Sequence, residues 1–206
     1  PYMVQELIEG PSLDDELDGE PMEVERAAWL TAEIARAVVA IHAAKLLHRD
    51  LKPANVMLRG GRPLVTDFGL ARDQADTRER LTRTGVALGT ANYMSPEQAD
   101  GDKQADERTD VYALGAILFE LLTGKPLFKG ASQFNVFKRI FSEAAPAPSA
   151  SNPAVGEELD AICLRCLAKD PDDRYPSAAD LADDLEEWLE TGRAAPPARG
   201  LLRSVG

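Results

Sequence analysis

At 206 residues, the chain has room for one large domain or two small ones. Hydrophobic residues make up 44% and charged residues 28%, an ordinary globular balance with enough apolar mass for a sizeable core. The formal net charge of −12 argues against nucleic acid as a partner, since neutralising phosphates takes clustered Lys and Arg, and it permits basic peptides.

In chain order, Pro1-Tyr2-Met3-Val4-Gln5-Glu6 reads as the end of a buried strand, and Glu9-Gly10-Pro11 as a turn. Ser12 with Asp15 three residues on has the pattern of a helix N-cap and its reciprocal partner. Trp29, Leu30, Ile34, Val38 and Ile41 recur at the helical period with no internal Gly or Pro, predicting a long helix from about Glu23 to Ala44. Two short strands follow, around 56–58 and 64–66, joined by a turn at Gly60-Gly61. Residues 71–88 are polar and lack periodicity, so they read as a long loop of the functional or mobile kind.

From Asp110 to Thr123 the sequence is apolar on most helical faces and closes with Gly124 and Pro126, predicting a central helix. A shorter amphipathic helix is expected at 134–141, then a Pro/Ala/Ser loop at 144–153, then helices at about 157–168 and 177–190. Cys163 and Cys166 share one face of the first of these last two helices. No second such pair or nearby His completes a zinc set, so they read as core fillers in a reducing compartment. No apolar run is long enough to span a bilayer. The result is a mainly α chain with a few short strands, one domain over 1–190, and a linker-like tail over 191–206.

The chemistry concentrates in His48-Arg49-Asp50-Leu51-Lys52-Pro53-Ala54-Asn55, on a loop between the long helix and the first strand of the pair. An Asp held there can accept or orient a hydroxyl proton, and an Asn five residues on can turn an amide oxygen to a cation. Asp67, in Asp67-Phe68-Gly69 at the end of a strand, offers a hard carboxylate of the kind Mg²⁺ takes beside substrate phosphates. Gly69 gives the loop after it backbone freedom, and Phe68 reads as core packing.

HRDLKPANVML, TDFG and GTANYMSPEQ, followed by DVYALGAILFELLTGKPLF and DPDDRYPSAADL, together resemble the protein kinases in the order and spacing of their motifs. The resemblance covers essentially all of residues 1 to about 190. It implies the α+β kinase fold, represented by the hinge and the large, mainly α C-terminal lobe with a short β-hairpin at the cleft. It implies a protein serine/threonine kinase that uses ATP with Mg²⁺ or Mn²⁺ on protein Ser/Thr hydroxyls. Asp50 would be the catalytic carboxylate, Lys52 would neutralise the transferring phosphoryl group, and Asn55 and Asp67 would hold the metal. His48 would brace the loop, Asp110 would anchor its backbone, and Glu97 would pair with Arg174. Glu6 and Ile8 would present hinge groups to adenine, Met57 would form the floor under the ring, and Ser12 or Asp15 would face the ribose.

Arg49 would dock an activation-loop phosphate carried by Thr82 or Thr84, which resemble autophosphorylation sites of bacterial kinases, with self-association as the implied route. Lys52 within DLKPAN, and Thr90 placed to bond Asp50 and Lys52, resemble the serine/threonine class rather than the tyrosine class. Ser95 stands where the family most often has Ala, a substitution common in bacterial-type members.

No Gly-rich phosphate loop, strand lysine or partnering helix glutamate is found, so the N-terminal lobe is expected to lie outside this sequence. Both ends are accordingly expected to continue, with a cytoplasmic kinase domain and a membrane anchor beyond residue 206 in the full-length protein. The alternative is a natural half-kinase that serves as a non-catalytic binding scaffold. In either case, the 206-residue chain assayed by itself should transfer negligible phosphate from ATP, because nothing roofs its nucleotide site; robust transfer in a radiolabel assay would contradict this.

Overall fold

The computed structural model describes residues 7–68, 90–101, 106–130 and 132–191. The elements are α1 (Val24–Ala43), β1 (Val56–Arg59), β2 (Arg62–Val65), α2 (Pro96–Asp100), α3 (Arg108–Thr123), α4 (Gln133–Ser142), α5 (Glu157–Cys166) and α6 (Ala178–Thr191). The mainly α class expected from the sequence is what forms, with one antiparallel hairpin among the described residues. No described helix is long and apolar enough to cross a membrane.

The fold is organised around α3. Residues 109–119 of this helix are all buried, because its sequence is apolar on nearly every face and the helix can be stable only when surrounded. It packs against α1, α5 and α6, and α1 in turn lies along α6. Arg36 of α1 fixes that second contact, with Nε 2.8 Å from Glu186 and Nη2 2.6 Å from Asp183.

Cys163 and Cys166 are fully buried and unpaired, as core fillers should be. Burial pushes both thiols up from their ordinary range, so they stay protonated and inert. The helix they occupy lies so close to α3 that a Cβ added at Gly115 would fall 2.4 Å from the Cys166 Cβ.

The hairpin registers Val56 against Val65 and Arg59 against Arg62 across the Gly60-Gly61 turn. Val56 and Leu58 face the core, while Met57 is half-buried on the opposite side. Residues 11–13 extend the pairing: Leu58 N donates to Pro11 O at 2.8 Å and Leu13 N to Val56 O at 2.7 Å. Gly10 permits this approach, with φ +138° and with Leu58 O only 2.2 Å from where a Cβ would stand.

Three local expectations need correction. Ser12 and Asp15 do bond reciprocally, but they close a 3₁₀ turn at Asp14–Glu16 instead of opening an α-helix, since Gly19 and Pro21 stop any continuation. The second strand runs over 62–65 rather than 64–66, paired along its length with 56–59, and Thr66 N and Oγ1 carry on to the facing Asn55 carbonyl at 2.9 and 3.1 Å. Phe68 is 49% exposed, not core. Asp67 at φ +60° swings the chain off the sheet, and no described element covers that side.

Gly115→Ala should therefore cost about 1–3 kcal/mol in chemical denaturation of the chain, the range of an overpacked core, since neither helix backbone can yield independently.

Candidate active site

Asp110, near the start of α3, holds the loop that follows α1. Its side chain is 1% exposed, so its charge has to be met locally. Oδ2 accepts from His48 N at 2.9 Å and Oδ1 accepts from Arg49 N at 2.9 Å. A third partner is His42, on the inward face of α1, whose Nε2 lies 2.8 Å from Oδ2. The loop so held is strained at Arg49, which adopts a left-handed φ of +64°.

His48 is fully buried and braces the loop from inside. Its Nδ1 lies 3.4 Å from Asp50 N, which assigns the ring proton to Nε2, and Nε2 then donates to Thr66 O at 3.0 Å. Above this brace, Asp50 Oδ2 receives Lys52 Nζ at 2.8 Å and Asn55 Nδ2 at 3.2 Å. Asn55 Nδ2 also donates to Asp50 O at 2.7 Å. The Asn55 amide nitrogen is thus committed to Asp50, which leaves its Oδ1 as the atom available to a cation.

Asp67 is exposed at the mouth of the hairpin. It follows Thr66, whose bonds to Asn55 O and His48 tie the end of β2 to the loop. No group of three or more His, Cys, Asp or Glu able to hold a metal occurs among the described residues. Two oxygen donors, Asn55 Oδ1 and the Asp67 carboxylate, suit a hard cation that keeps waters and phosphate oxygens in its remaining positions, as Mg²⁺ does.

The segment leading into α2 is pinned from the other side. Ser95, fully buried, caps α2: its Oγ accepts from Gln98 N at 3.3 Å and its N donates to Gln98 Oε1 at 3.1 Å. Glu97 meets Arg174 through two bonds, at 2.7 and 2.8 Å, and accepts Thr109 Oγ1 at 2.9 Å. Arg174 also donates to the carbonyls of Ala168 at 2.8 Å and Arg108 at 3.0 Å, and lies 5.0 Å from the Tyr112 ring centre. Burial alone would raise the Glu97 carboxyl, but the guanidinium outweighs it and holds the group below its ordinary range. Tyr93 donates its hydroxyl to Glu120 of α3, securing the same segment.

The remaining residues singled out in the sequence are less closely gathered. Ile8 and Met57 are half-buried beside the hairpin. Asp15 is exposed, and its Oδ2 is engaged by Ser12 N at 2.8 Å and Oγ at 2.7 Å, which lowers its carboxyl from the usual range. Arg49 has an exposed side chain. Glu6, Gly69, Thr82 and Thr84 lie outside the described residues, as does the Thr90 side chain.

His42, Thr66 and Gln98 were not anticipated as site residues. His42 had a weak signal as the one ionisable group on the apolar stripe of α1. The Ser95-to-Gln98 spacing signals a capping box, but neither residue's tertiary partner can be read from spacing.

The fold and site define a mainly α lobe whose cleft is edged by a hairpin and floored by a buried-aspartate-anchored loop. The chain belongs to the protein kinase domain family, which matches residues 1–185. It is similar to a probable serine/threonine-protein kinase of Streptomyces coelicolor (SCO3848), at 44% identity over 192 residues, or 92% of this chain and 28% of that protein. It is also similar to the serine/threonine-protein kinase PknB of Mycobacterium tuberculosis, at 42% over 187 residues, or 90% of this chain and 30% of that one. The chain spans roughly three tenths of the length of these relatives.

Removing one side of the Glu97–Arg174 pair tests its electrostatics. Wild-type stabilisation from Glu97 is present above the unfolded carboxyl pKa of about 4.3 and lost as pH falls through the lowered folded value. Arg174→Met should cost about 3–5 kcal/mol near neutrality. It should also invert the sign, because burial then raises the carboxyl and the variant's deficit shrinks on acidification. Urea denaturation between pH 4 and 7 reads both effects.

Proposed function

We propose that this chain carries the acceptor side of serine/threonine phosphoryl transfer from ATP to protein hydroxyls. The observation that carries this reading is the Asp50 carboxylate, bridged by Lys52 at 2.8 Å and Asn55 at 3.2 Å on a loop locked to Asp110. A binding scaffold has no chemical use for that combination.

In the proposed reaction, the acceptor hydroxyl is oriented by Asp50, which takes its proton as the oxygen bonds to the γ-phosphorus and the bond to the ADP oxygen breaks. Lys52 stands beside that carboxylate, within reach of the charge on the transferring oxygens. Asn55 and Asp67 would hold Mg²⁺ or Mn²⁺, which supplies charge neutralisation on the phosphates when bound. The protein's own contribution is placement and fixed charge. His48 sets the height of the loop, and Asn55 keeps the Asp50 carboxylate from turning away.

Met57 and Ile8 would supply the apolar contacts for adenine, and Asp15, through whatever capacity Ser12 leaves it, a contact for ribose. Arg49 would receive a phosphate on Thr82 or Thr84; its side chain is exposed, and among the described residues no acid pairs with it. Support for Ser/Thr acceptors is the DLKPAN loop and the likeness to relatives named as serine/threonine kinases.

In the protein expressed from its complete gene, Asp50→Asn should lower kcat by about 10²–10⁴-fold with ATP affinity little changed, since it removes the proton acceptor and the charge that holds Lys52 beside it. Undiminished transfer by that variant would refute the assignment. Absence of transfer in the wild type, with ATP and Mg²⁺ supplied, would favour the scaffold reading.

A further inference from the structure

We infer that Gln98 is a positioning residue for phosphoryl transfer: it clamps the Arg49 carbonyl and couples the catalytic loop to the segment entering α2. This rests on the function proposed above.

Arg49 is the strained point of the loop, at φ +64°, a conformation that residues with side chains hold only when their surroundings impose it. Its backbone is gripped on both polar atoms by side chains. Asp110 Oδ1 takes the N–H at 2.9 Å, and Gln98 Nε2 donates to the carbonyl at 2.9 Å. That carbonyl belongs to the same peptide plane as the Asp50 nitrogen. Fixing it therefore fixes the direction from which the Asp50 side chain departs.

The other end of the same amide is equally committed. Gln98 Oε1 accepts from Ser95 N at 3.1 Å, and Ser95 Oγ accepts from Gln98 N at 3.3 Å. One planar group thus donates to the catalytic loop and accepts from the α2 cap, and flipping it would set its oxygen against the Arg49 carbonyl and its NH2 against the Ser95 N–H. Arg49, Asp50, Tyr93 and Gln98 line one recess, so the two walls beside the proton-accepting carboxylate are joined through this side chain. Any displacement of the segment before α2 is passed to the Arg49–Asp50 peptide.

Glutamine is required for this dual role and not for capping. Glutamate serves equally well as the third residue of a capping box. An ionised carboxylate would still accept from Ser95 N but could not donate to the Arg49 carbonyl, and would repel it. Gln98→Glu consequently separates the two bonds.

In the protein expressed from its complete gene, Gln98→Glu should lower kcat by about 10–100-fold, the cost of misplacing a reacting group by a fraction of an ångström to one ångström. The KM for ATP should stay within about threefold and the melting temperature within a few degrees. The variant-to-wild-type ratio of kcat should climb as pH falls from about 8 towards 5.5, because a protonated carboxyl regains a donor. Amide exchange at Asp50 should quicken about tenfold in the variant at neutral pH, a readout that needs no activity. A kcat within twofold of wild type, or a loss that is flat with pH and tracks a lowered melting temperature, would overturn the inference. If the wild type transfers no phosphate, the proposed function fails instead, and Asp50 exchange alone decides: unchanged protection overturns the clamp.

Discussion

Asp110 lies on the most enclosed of the described helices, and its side chain is buried. An isolated charge at that depth would be prohibitively costly, so the chain must bring donors to it. It brings the backbone N–H groups of His48 and Arg49, and the ring of His42. The direction of dependence is what matters. The core helix is set by apolar packing; its buried Asp110 then dictates where the loop runs, and the loop dictates where Asp50, Lys52 and Asn55 stand. The placement of these three side chains is an outcome of satisfying a buried charge.

A second buried charge does comparable work at the far side of the same helix. Arg174 comes from the connection between α5 and α6, reaches Glu97 at the head of α2, and uses its remaining hydrogens on main-chain carbonyls. The segment before α2 is therefore held against α3 by an ion pair, while the catalytic loop is held against α3 by Asp110. Gln98 bridges the two at Arg49. The site is a pair of loops hung from one helix and tied to each other, which explains how a strained backbone can persist there.

The hairpin and every helix but α2 were legible in the sequence to within about two residues, since helix periodicity and Gly or Pro stops are local; α2, five residues long, is too short to show a period. The end of α3 at Gly124, the Gly60-Gly61 turn and the burial of both cysteines all follow from patterns within a few residues. Two of the departures lie along one stretch of chain. The second strand begins two residues earlier than its pattern suggested, and Phe68 was carried outward because Asp67 turns the chain there. Asp50, Lys52 and Asn55 were readable as a motif, and so were Asp110 and the Glu97–Arg174 pair, through resemblance. His42, Thr66 and Gln98 were not, because their contributions lie in bonds across 68, 11 and 49 positions of sequence.

The sequence by itself determined the family, the helical framework and the chemical types available at the cleft, because these depend on residue identity and short-range order. Only the tertiary structure decided which atom of each group is committed and which is left. It showed the Asn55 nitrogen engaged by Asp50, and the Gln98 amide divided between two backbones. It also showed the Asp110 oxygens shared among loop and helix. Those allocations depend on direction and distance between elements remote in sequence, and no spacing along a chain encodes them.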